Sequence, residues 1–354
     1  MKIAILTASV GKGHNIVAKN LKEEIEKNME ADVKIIDYFK LYNFYIDKLS
    51  SKWYRLILQN FPLIYKVEYS LFANKKEVLP KNSDNRLVIS NLKKIVGKDL
   101  SDVIIISVFP IANSGTSNTK FKKKYTIATD YGIHQKWIAK NTDAYFVANN
   151  EIKDKLIKNH VDQDKIHITG IPISKKYYKK HNKNLLKKEL GIKNNRKIIL
   201  LMGGGDGVLK DSIKMVKALS KKYNIIFATG TNKRLKGKID NLKIPNCFTF
   251  GFTDKIKDLI DVSDIVISKA GGLSITEFAV SHIPIIIYKI TPGQEYDNVK
   301  YFNNNNACLI AENIDELKKE VDDIINKKIK LNTRFIQTKT PAIDQIIEFI
   351  KKDI

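Results

Sequence analysis

Twelve short apolar runs, most of them rich in β-branched residues, recur along the chain with helical patterns between them. The first six are Lys2–Ala8, Val33–Ile36, Val103–Ser107, Tyr125–Ala128, Ala144–Val147 and Ile166–Thr169. The second six are Lys197–Met202, Ile225–Thr229, Phe248–Phe250, Ile265–Ser268, Pro284–Tyr288 and Ala307–Ile310. Most do not alternate apolar with polar residues. A strand apolar on both faces is buried on both, as in a parallel sheet covered by helices. The segments between carry the other period: Val17, Leu21 and Ile25 repeat every four residues, the stripe of a helix. Strand and helix in turn predict an α/β fold with parallel sheets.

The rhythm runs for six strands and then restarts. In a chain of 354 residues that predicts two Rossmann-like domains. The break falls near Ile171–Asn195, which holds Pro172 and a lysine cluster. The domains are placed at 1–172 and 173–339, with a closing helix at 340–354. Thr340 is placed as its cap and Pro341 in its first turn, and Ile343, Ile346, Ile347 and Ile350 share one face.

Composition removes several classes. Hydrophobic residues are 43% and charged residues 28%, which excludes a disordered or fibrous chain. The longest strongly apolar run, Val103–Ile111, falls short of the roughly 18 residues of a membrane span. Lys2 precedes a short apolar run that ends in glycines, which reads as a buried strand rather than a signal peptide. Cys247 and Cys308 have no metal-ligand spacing and fit a reducing cytoplasm.

The charge points outward. There are 62 basic and 38 acidic residues, a net +24, with 57 Lys and five Arg. Part of this is a compositional habit, since Lys, Asn and Ile are abundant together. The rest suits an anionic partner. Scarce Arg argues against nucleic acid, where bidentate Arg contacts are favoured. Lys suits a lipid surface, at about 1 kcal/mol per residue near an anionic leaflet.

Three loops carry the chemistry. Ser9-Val10-Gly11-Lys12-Gly13-His14 follows the first strand and opens the first helix. It is neither the dinucleotide fingerprint nor a Walker A loop. It sets His14 at a strand's carboxyl end, where open α/β sheets bind ligands. A helix N-terminus there lowers the imidazole pKa, so His14 can accept a proton. Met202-Gly203-Gly204-Gly205-Asp206-Gly207 ends the seventh strand, and its glycine density predicts close ligand approach. Ser268-Lys269-Ala270-Gly271-Gly272-Leu273-Ser274-Ile275-Thr276-Glu277 leaves the tenth strand and enters a helix. Its bare amides suit a diphosphate, with Glu277 placed for a ribose hydroxyl. After the next strand, Pro292-Gly293-Gln294-Glu295-Tyr296-Asp297-Asn298 offers Gln294 and Glu295 to sugar hydroxyls.

On these motifs the chain resembles the glycolipid-forming glycosyltransferases of family 28: monogalactosyldiacylglycerol synthases and bacterial processive diacylglycerol glucosyltransferases. The resemblance covers nearly the whole chain. It adds Thr129-Asp130-Tyr131-Gly132-Ile133-His134-Gln135-Lys136-Trp137 and Thr169-Gly170-Ile171-Pro172-Ile173 to the loops above. Two positions depart from the family's pattern: Ala270 stands where a proline is usual, and Lys12 interrupts a glycine run.

The resemblance implies a GT-B fold, two Rossmann-like domains facing across a cleft, the last helix returning to the first. It implies a UDP-hexose donor, glucose favoured, and a diacylglycerol acceptor. The donor residues implied are Gly13, Gly203, Gly204, Gly205, Phe252, Lys269, Gly271, Gly272, Thr276, Glu277, Gln294, Glu295 and Asn298. Among them Glu277 is assigned to ribose and the loop at Gly251-Phe252 to uracil. His14 is the base or lies beside the transferred sugar, with Asp130 its helper or rival. Pro110, His134 and Trp137 are assigned to the acceptor side. No cofactor is implied, and neither is a metal.

From Leu41 to Phe72 there are nine Phe, Tyr or Trp in 32 residues, interleaved with Lys48, Lys52, Arg55 and Lys66. Trp53, Tyr54, Arg55 and Phe61 are read as membrane contacts. The expectation is a peripheral protein at the cytoplasmic face of the cell membrane, with anionic lipids as partners and no nucleic acid. Lys175–Lys188, with seven Lys and no acid, reads as a solvated face or a lesser lipid contact. Asp162-Gln163-Asp164 has a metal-binding pattern but lies in a polar loop, and is not read as a metal site. His160, His167, His181 and His282 have no ligand spacing. The open alternatives are UDP-galactose as donor, transfer of GlcNAc to a polyprenyl-linked acceptor, and a charge-driven membrane or nucleic-acid binder. Repeated transfer and oligomeric state are left open.

Overall fold

A computed structural model describes residues 1–8, 12–42, 83–290, 293–336, 338 and 340–354. Its strands are β1 (Lys2–Thr7), β2 (Asp32–Asp37), β3 (Val103–Ser107), β4 (Lys123–Ile127), β5 (Ala144–Val147), β6 (Ile166–Ile168), β7 (Ile198–Met202), β8 (Asn224–Ala228), β9 (Cys247–Phe250), β10 (Ile265–Ser268), β11 (Ile285–Tyr288) and β12 (Cys308–Ala311). All twelve predicted strands form, with no end shifted by more than two residues. The largest shift is at β4, which starts at Lys123. Lys124 is 2% exposed there, and its ammonium donates to the Asn113 carbonyl at 2.9 Å. Burial pushes that lysine's pKa down to about 7. A charged residue inside a sheet is what hydropathy patterning misses.

The chain forms two compact units. One takes in Met1–Ser174, Pro292–Gln294 and Thr340–Ile354, the other Lys175–Thr291 and Glu295–Lys339. The first holds a sheet of order β2-β1-β3-β4-β5-β6, the second one of order β12-β11-β10-β7-β8-β9, both parallel throughout. Read from β9, the second order is 3-2-1-4-5-6, that of a Rossmann sheet. Strands β3, β7 and β8 are buried at every position, as apolar runs without alternation require. The order reverses between β1 and β3 in the first sheet and between β7 and β10 in the second. Crevices for ligands open outside the strand ends at such points.

The closing helix, Ala342–Asp353, completes the first unit. Ile343, Ile346, Ile347 and Ile350 are buried, each worth about 1.5–3 kcal/mol. The Phe349 ring lies 5.2 Å from Phe146 and 6.2 Å from Tyr125. Asp353 accepts from the Tyr125 hydroxyl at 2.7 Å and Lys123 at 2.9 Å. The helix starts one residue later than expected. Pro341, with ψ 141°, is extended and takes the cap position, so Thr340 lies outside.

Candidate active site

At the first switch point, helix Lys12–Asn28 follows β1, and its first turn carries Gly13 and His14. Thr7 at the end of β1 donates to Asn15 at 2.9 Å, which seats that turn on the strand. Val108 follows β3, and Pro110 opens the short helix Pro110–Ser114, where a missing N–H is harmless. Thr129 and Asp130 follow β4.

His14 Nδ1 lies 2.8 Å from the Val108 carbonyl oxygen and 2.9 Å from Thr129 Oγ1. A carbonyl only accepts, so Nδ1 carries the proton and Nε2 keeps its lone pair. The Phe109 ring stands edge-on at 5.3 Å. Burial lowers the His14 pKa, while the Asp130 charge and the Val108 bond pull it upward. The direction is the one read from sequence, but the cause is burial rather than a helix N-terminus. Asp130 itself is 8% exposed.

The same loop continues to His134, which burial and Lys136 push down to about 4. Trp137 stands 6.5 Å from His134, ring to ring, but is 1% exposed. The Asn113 amide donates to its carbonyl at 2.8 Å. Trp137 is therefore a core residue that fixes the loop, not one that offers its ring to a lipid. Pro110 is likewise buried. Trp53, Tyr54, Arg55 and Phe61 lie outside the described residues. Among the described residues no helix is long and apolar enough to cross a membrane.

At the second switch point the Ser268 hydroxyl donates to the Met202 carbonyl at 2.7 Å, joining β10 to β7. A methyl on Gly203 would sit 2.6 Å from the Gly207 and Val208 backbone. That glycine is required by the loop's own folding, which corrects the expectation that ligand approach explains it. Gly204 has φ +70°, and a methyl there would lie 3.2 Å from Lys269 Cε. Gly205 is engaged inside the unit, its carbonyl accepting from the Thr231 amide at 3.0 Å. A methyl on Gly271 would meet nothing within 4 Å, so this turn is open on the side where helix Gly272–Val280 begins.

Lys269 pairs with Glu295 at 3.3 Å. Asn298 is fully buried and donates to the Ala270 carbonyl at 2.9 Å. It holds the turn from beneath. Thr276 is also buried and turns back to the Gly272 carbonyl at 2.7 Å. Gln294 begins helix Gln294–Asn304. Phe252, after edge strand β9, is 65% exposed. Gly13, expected among the donor residues, belongs to the first unit.

Glu277 is 5% exposed. Burial pushes its pKa up to about 7, against the pull of Tyr177 and Lys176. Tyr177, Val108, Thr129 and Asn113 were not singled out from sequence. Val108 acts through its backbone, which no side-chain pattern reports. Thr129 was within reach, since it precedes Asp130 at a strand end. Asp162 and Asp164 are exposed beside the 3-10 turn Gln163–Lys165. Among the described residues no three His, Cys, Asp or Glu form a group that could hold a metal.

Twin Rossmann-like sheets, each with loops gathered at its switch point, define a GT-B fold, the class of many glycosyltransferases. Solved structures share it. Acinetobacter baumannii MurG aligns with a TM-score of 0.63 at 12% identity, over 99% of both chains. Anabaena Alr3699/HepE in complex with UDP-glucose aligns at 0.58 and 13% identity, over 100% of both. Residues 14–173 match the family described as monogalactosyldiacylglycerol (MGDG) synthase. Residues 198–350 match the glycosyltransferase family 28 C-terminal domain. Both halves of the chain thus match glycosyltransferase family models, and the chain is a glycosyltransferase similar to the family 28 glycolipid synthases. It is 29% identical to the processive diacylglycerol beta-glucosyltransferase of Bacillus licheniformis, over 99% of this chain and 94% of that one. The protein of the same description from Bacillus subtilis is 27% identical, over 100% and 94%.

Proposed function

We propose that this protein transfers a hexose, glucose in the first place, from a UDP-sugar to diacylglycerol with inversion to a β-glycoside. The observation that carries the reading is the His14 imidazole, held at Nδ1 by Val108 and Thr129 so that Nε2 is the acceptor. As the acceptor oxygen bonds to the anomeric carbon, the bond from that carbon to the diphosphate oxygen breaks and the hydroxyl proton passes to Nε2. Asp130 steadies the imidazolium that results. The names of the Bacillus relatives support the acceptor and the sugar.

The second unit supplies the donor residues other than Gln294 in this reading. Amides at Gly271 and Gly272, the helix N-terminus behind them and Lys269 carry the departing diphosphate. Glu277 takes ribose hydroxyls, Gln294 and Glu295 the hexose, and Phe252 stacks on uracil. The reaction takes place at the cytoplasmic face of the membrane, with the protein bound peripherally.

The test is direct. Diacylglycerol vesicles are incubated with labelled UDP-glucose, UDP-galactose or UDP-GlcNAc, and the lipid is extracted. Label from UDP-glucose supports the reading, and label from UDP-galactose alone changes the sugar. No lipid label from any donor overturns it.

A further inference from the structure

Asp211 precedes helix Ser212–Leu219, which carries the chain away from the glycine loop after β7. An aspartate in that place ordinarily turns its carboxylate onto the helix's free amides from extended backbone. This one makes no such bond and has φ +51°. Its Oδ2 instead accepts from the Lys289 ammonium at 2.6 Å and the Tyr288 hydroxyl at 3.1 Å. Lys214 lies 3.7 Å from Oδ1. Tyr288 is the buried last residue of β11. Lys289, just past it, also has a left-handed backbone, with φ +55°. Asp tolerates that conformation better than Lys does. It is held here at both ends of one ion pair, which the contacts around it must over-determine.

Strand β10 lies between β7 and β11 in the sheet. The pair therefore ties the first and third of three adjacent strand ends. Donor residues of the reading above follow all three: Gly204 after β7, Lys269 and Gly271 after β10, and Glu295 beyond β11. The chain beyond β11 is held a second time, by Glu295 on Lys269 at 3.3 Å. A hydrogen bond between ionised groups fixes direction as well as distance. We propose that Asp211 and Lys289 are positioning residues for the sugar half of the donor: their pair sets where the chain leaves β11 toward Glu295, and so the fit of Glu295 to the hexose. The inference rests on the reading of the second unit as the donor site and deepens it. Uridine and diphosphate are assigned to Phe252, Gly271 and Glu277, which follow β9 and β10. The pair does not hold those residues, so it acts on the hexose alone.

The experiment is calorimetric binding of UDP, UDP-glucose and UDP-galactose without acceptor lipid. Wild type, Asp211→Asn, Lys289→Gln, Lys289→Arg and the double variant Asp211→Asn with Lys289→Gln are compared. Asparagine keeps the size of the side chain and tolerates the left-handed backbone, so Asp211→Asn removes little but the charge. Affinity for the preferred UDP-hexose should drop roughly tenfold in each neutral variant, the order of one hydrogen bond between charged groups. UDP affinity should stay within about twofold, and it also reports that the unit is folded. The double variant should lose no more than either single one, since both remove the same interaction. Lys289→Arg keeps the cation and should keep most of the hexose affinity. If one neutral variant does not fold, the other carries the comparison. Failure of both to fold, or equal losses for UDP and UDP-hexose, reduces the pair to a brace of the fold and overturns the inference. Unchanged UDP-hexose affinity, losses that add in the double variant, or a loss in Lys289→Arg equal to that in Lys289→Gln overturns it too. A wild type that binds none of the three nucleotides removes the donor reading itself, and this inference with it.

Discussion

His14 and Val108, 94 positions apart in sequence, meet at 2.8 Å between Nδ1 and a backbone carbonyl. The bond spans the point where the first sheet reverses its strand order, between the ends of β1 and β3. It sets the imidazole's tautomer with a group that no substitution at 108 can delete. Side-chain exchange at Val108 therefore tests packing, and the base must be tested at His14.

His14→Ala should lower turnover by roughly 100- to 10,000-fold, the range for a positioned general base. UDP affinity should stay within about twofold, since the donor loops belong to the other unit. Single-turnover transfer and calorimetric UDP binding check the two halves. A loss of turnover under about threefold takes His14 out of the base role.

Asp130 acts on His14 through charge and raises its pKa against the larger effect of burial. On the acid side, activity should fall as His14 is protonated, at a pH below the ordinary 6.5 of an imidazole. Asp130→Asn removes the upward pull, so that limb should move to still lower pH with activity largely kept. A loss of more than about 100-fold, with no acid limb left, would make Asp130 the base instead.

The fold was legible because its information is local. Runs such as Val103–Ser107 are apolar on both faces, the pattern of a parallel sheet covered on both sides, and they recur between helical patterns. The site was legible where glycine or a charge marks a strand end, as at His14, Lys269 and Gly271. It was obscure where the partner comes from a distant segment. Tyr177 reads as one tyrosine in a lysine-rich stretch, and only packing brings it to Glu277, a hundred residues on. Trp137 shows the opposite error. An aromatic in a recognisable loop looks like a contact residue, yet its burial at 1% exposure makes it a support.

Glu277→Gln should stabilise the ligand-free protein at alkaline pH. Burial raises the carboxyl from 4.5 to about 7, so the folded state binds a proton that the unfolded state has released. That contribution is full below about pH 4.5 and is lost as pH rises through about 7. The displacement corresponds to roughly 3 kcal/mol of instability above that range. Glutamine carries no such charge. Melting curves at pH 4.5 and 8.5 should show the variant gaining over wild type chiefly at the higher pH. An equal difference at both would mean that the carboxyl does not titrate between them.

Transfer should survive chelation. Asp162 and Asp164 are exposed in a polar turn before edge strand β6. The open helix start at Gly271, with Lys269 beside it, can carry the diphosphate charge. Activity in excess EDTA should stay within about twofold of the untreated enzyme. Loss in chelator that Mg²⁺ or Mn²⁺ restores would require a metal at the diphosphate and would reopen the acidic pair.

Vesicle binding can be read from a single tryptophan. The chain has two, Trp53 and Trp137. Trp137 is in the core of the first unit, out of reach of a bilayer. Trp53 belongs to the aromatic and basic stretch from Leu41 to Phe72, and the membrane reading rests on that composition. Vesicles of anionic lipid with brominated chains should therefore quench part of the fluorescence, and Trp53→Phe should abolish the quenching. Two forces should separate with salt. Attraction of Lys48, Lys52 and Arg55 to phosphates is screened, with a Debye length of about 8 Å at physiological ionic strength. Insertion of rings is not. Replacing the three cations with Gln should weaken binding only at low salt. Replacing Trp53, Tyr54 and Phe61 with Ser should weaken the part that persists at high salt, with UDP binding kept because the donor loops lie in the second unit. If the wild type co-sediments with vesicles but is not quenched, the aromatic stretch is not what meets the bilayer. Charge elsewhere, such as Lys175–Lys188, must then hold the protein there.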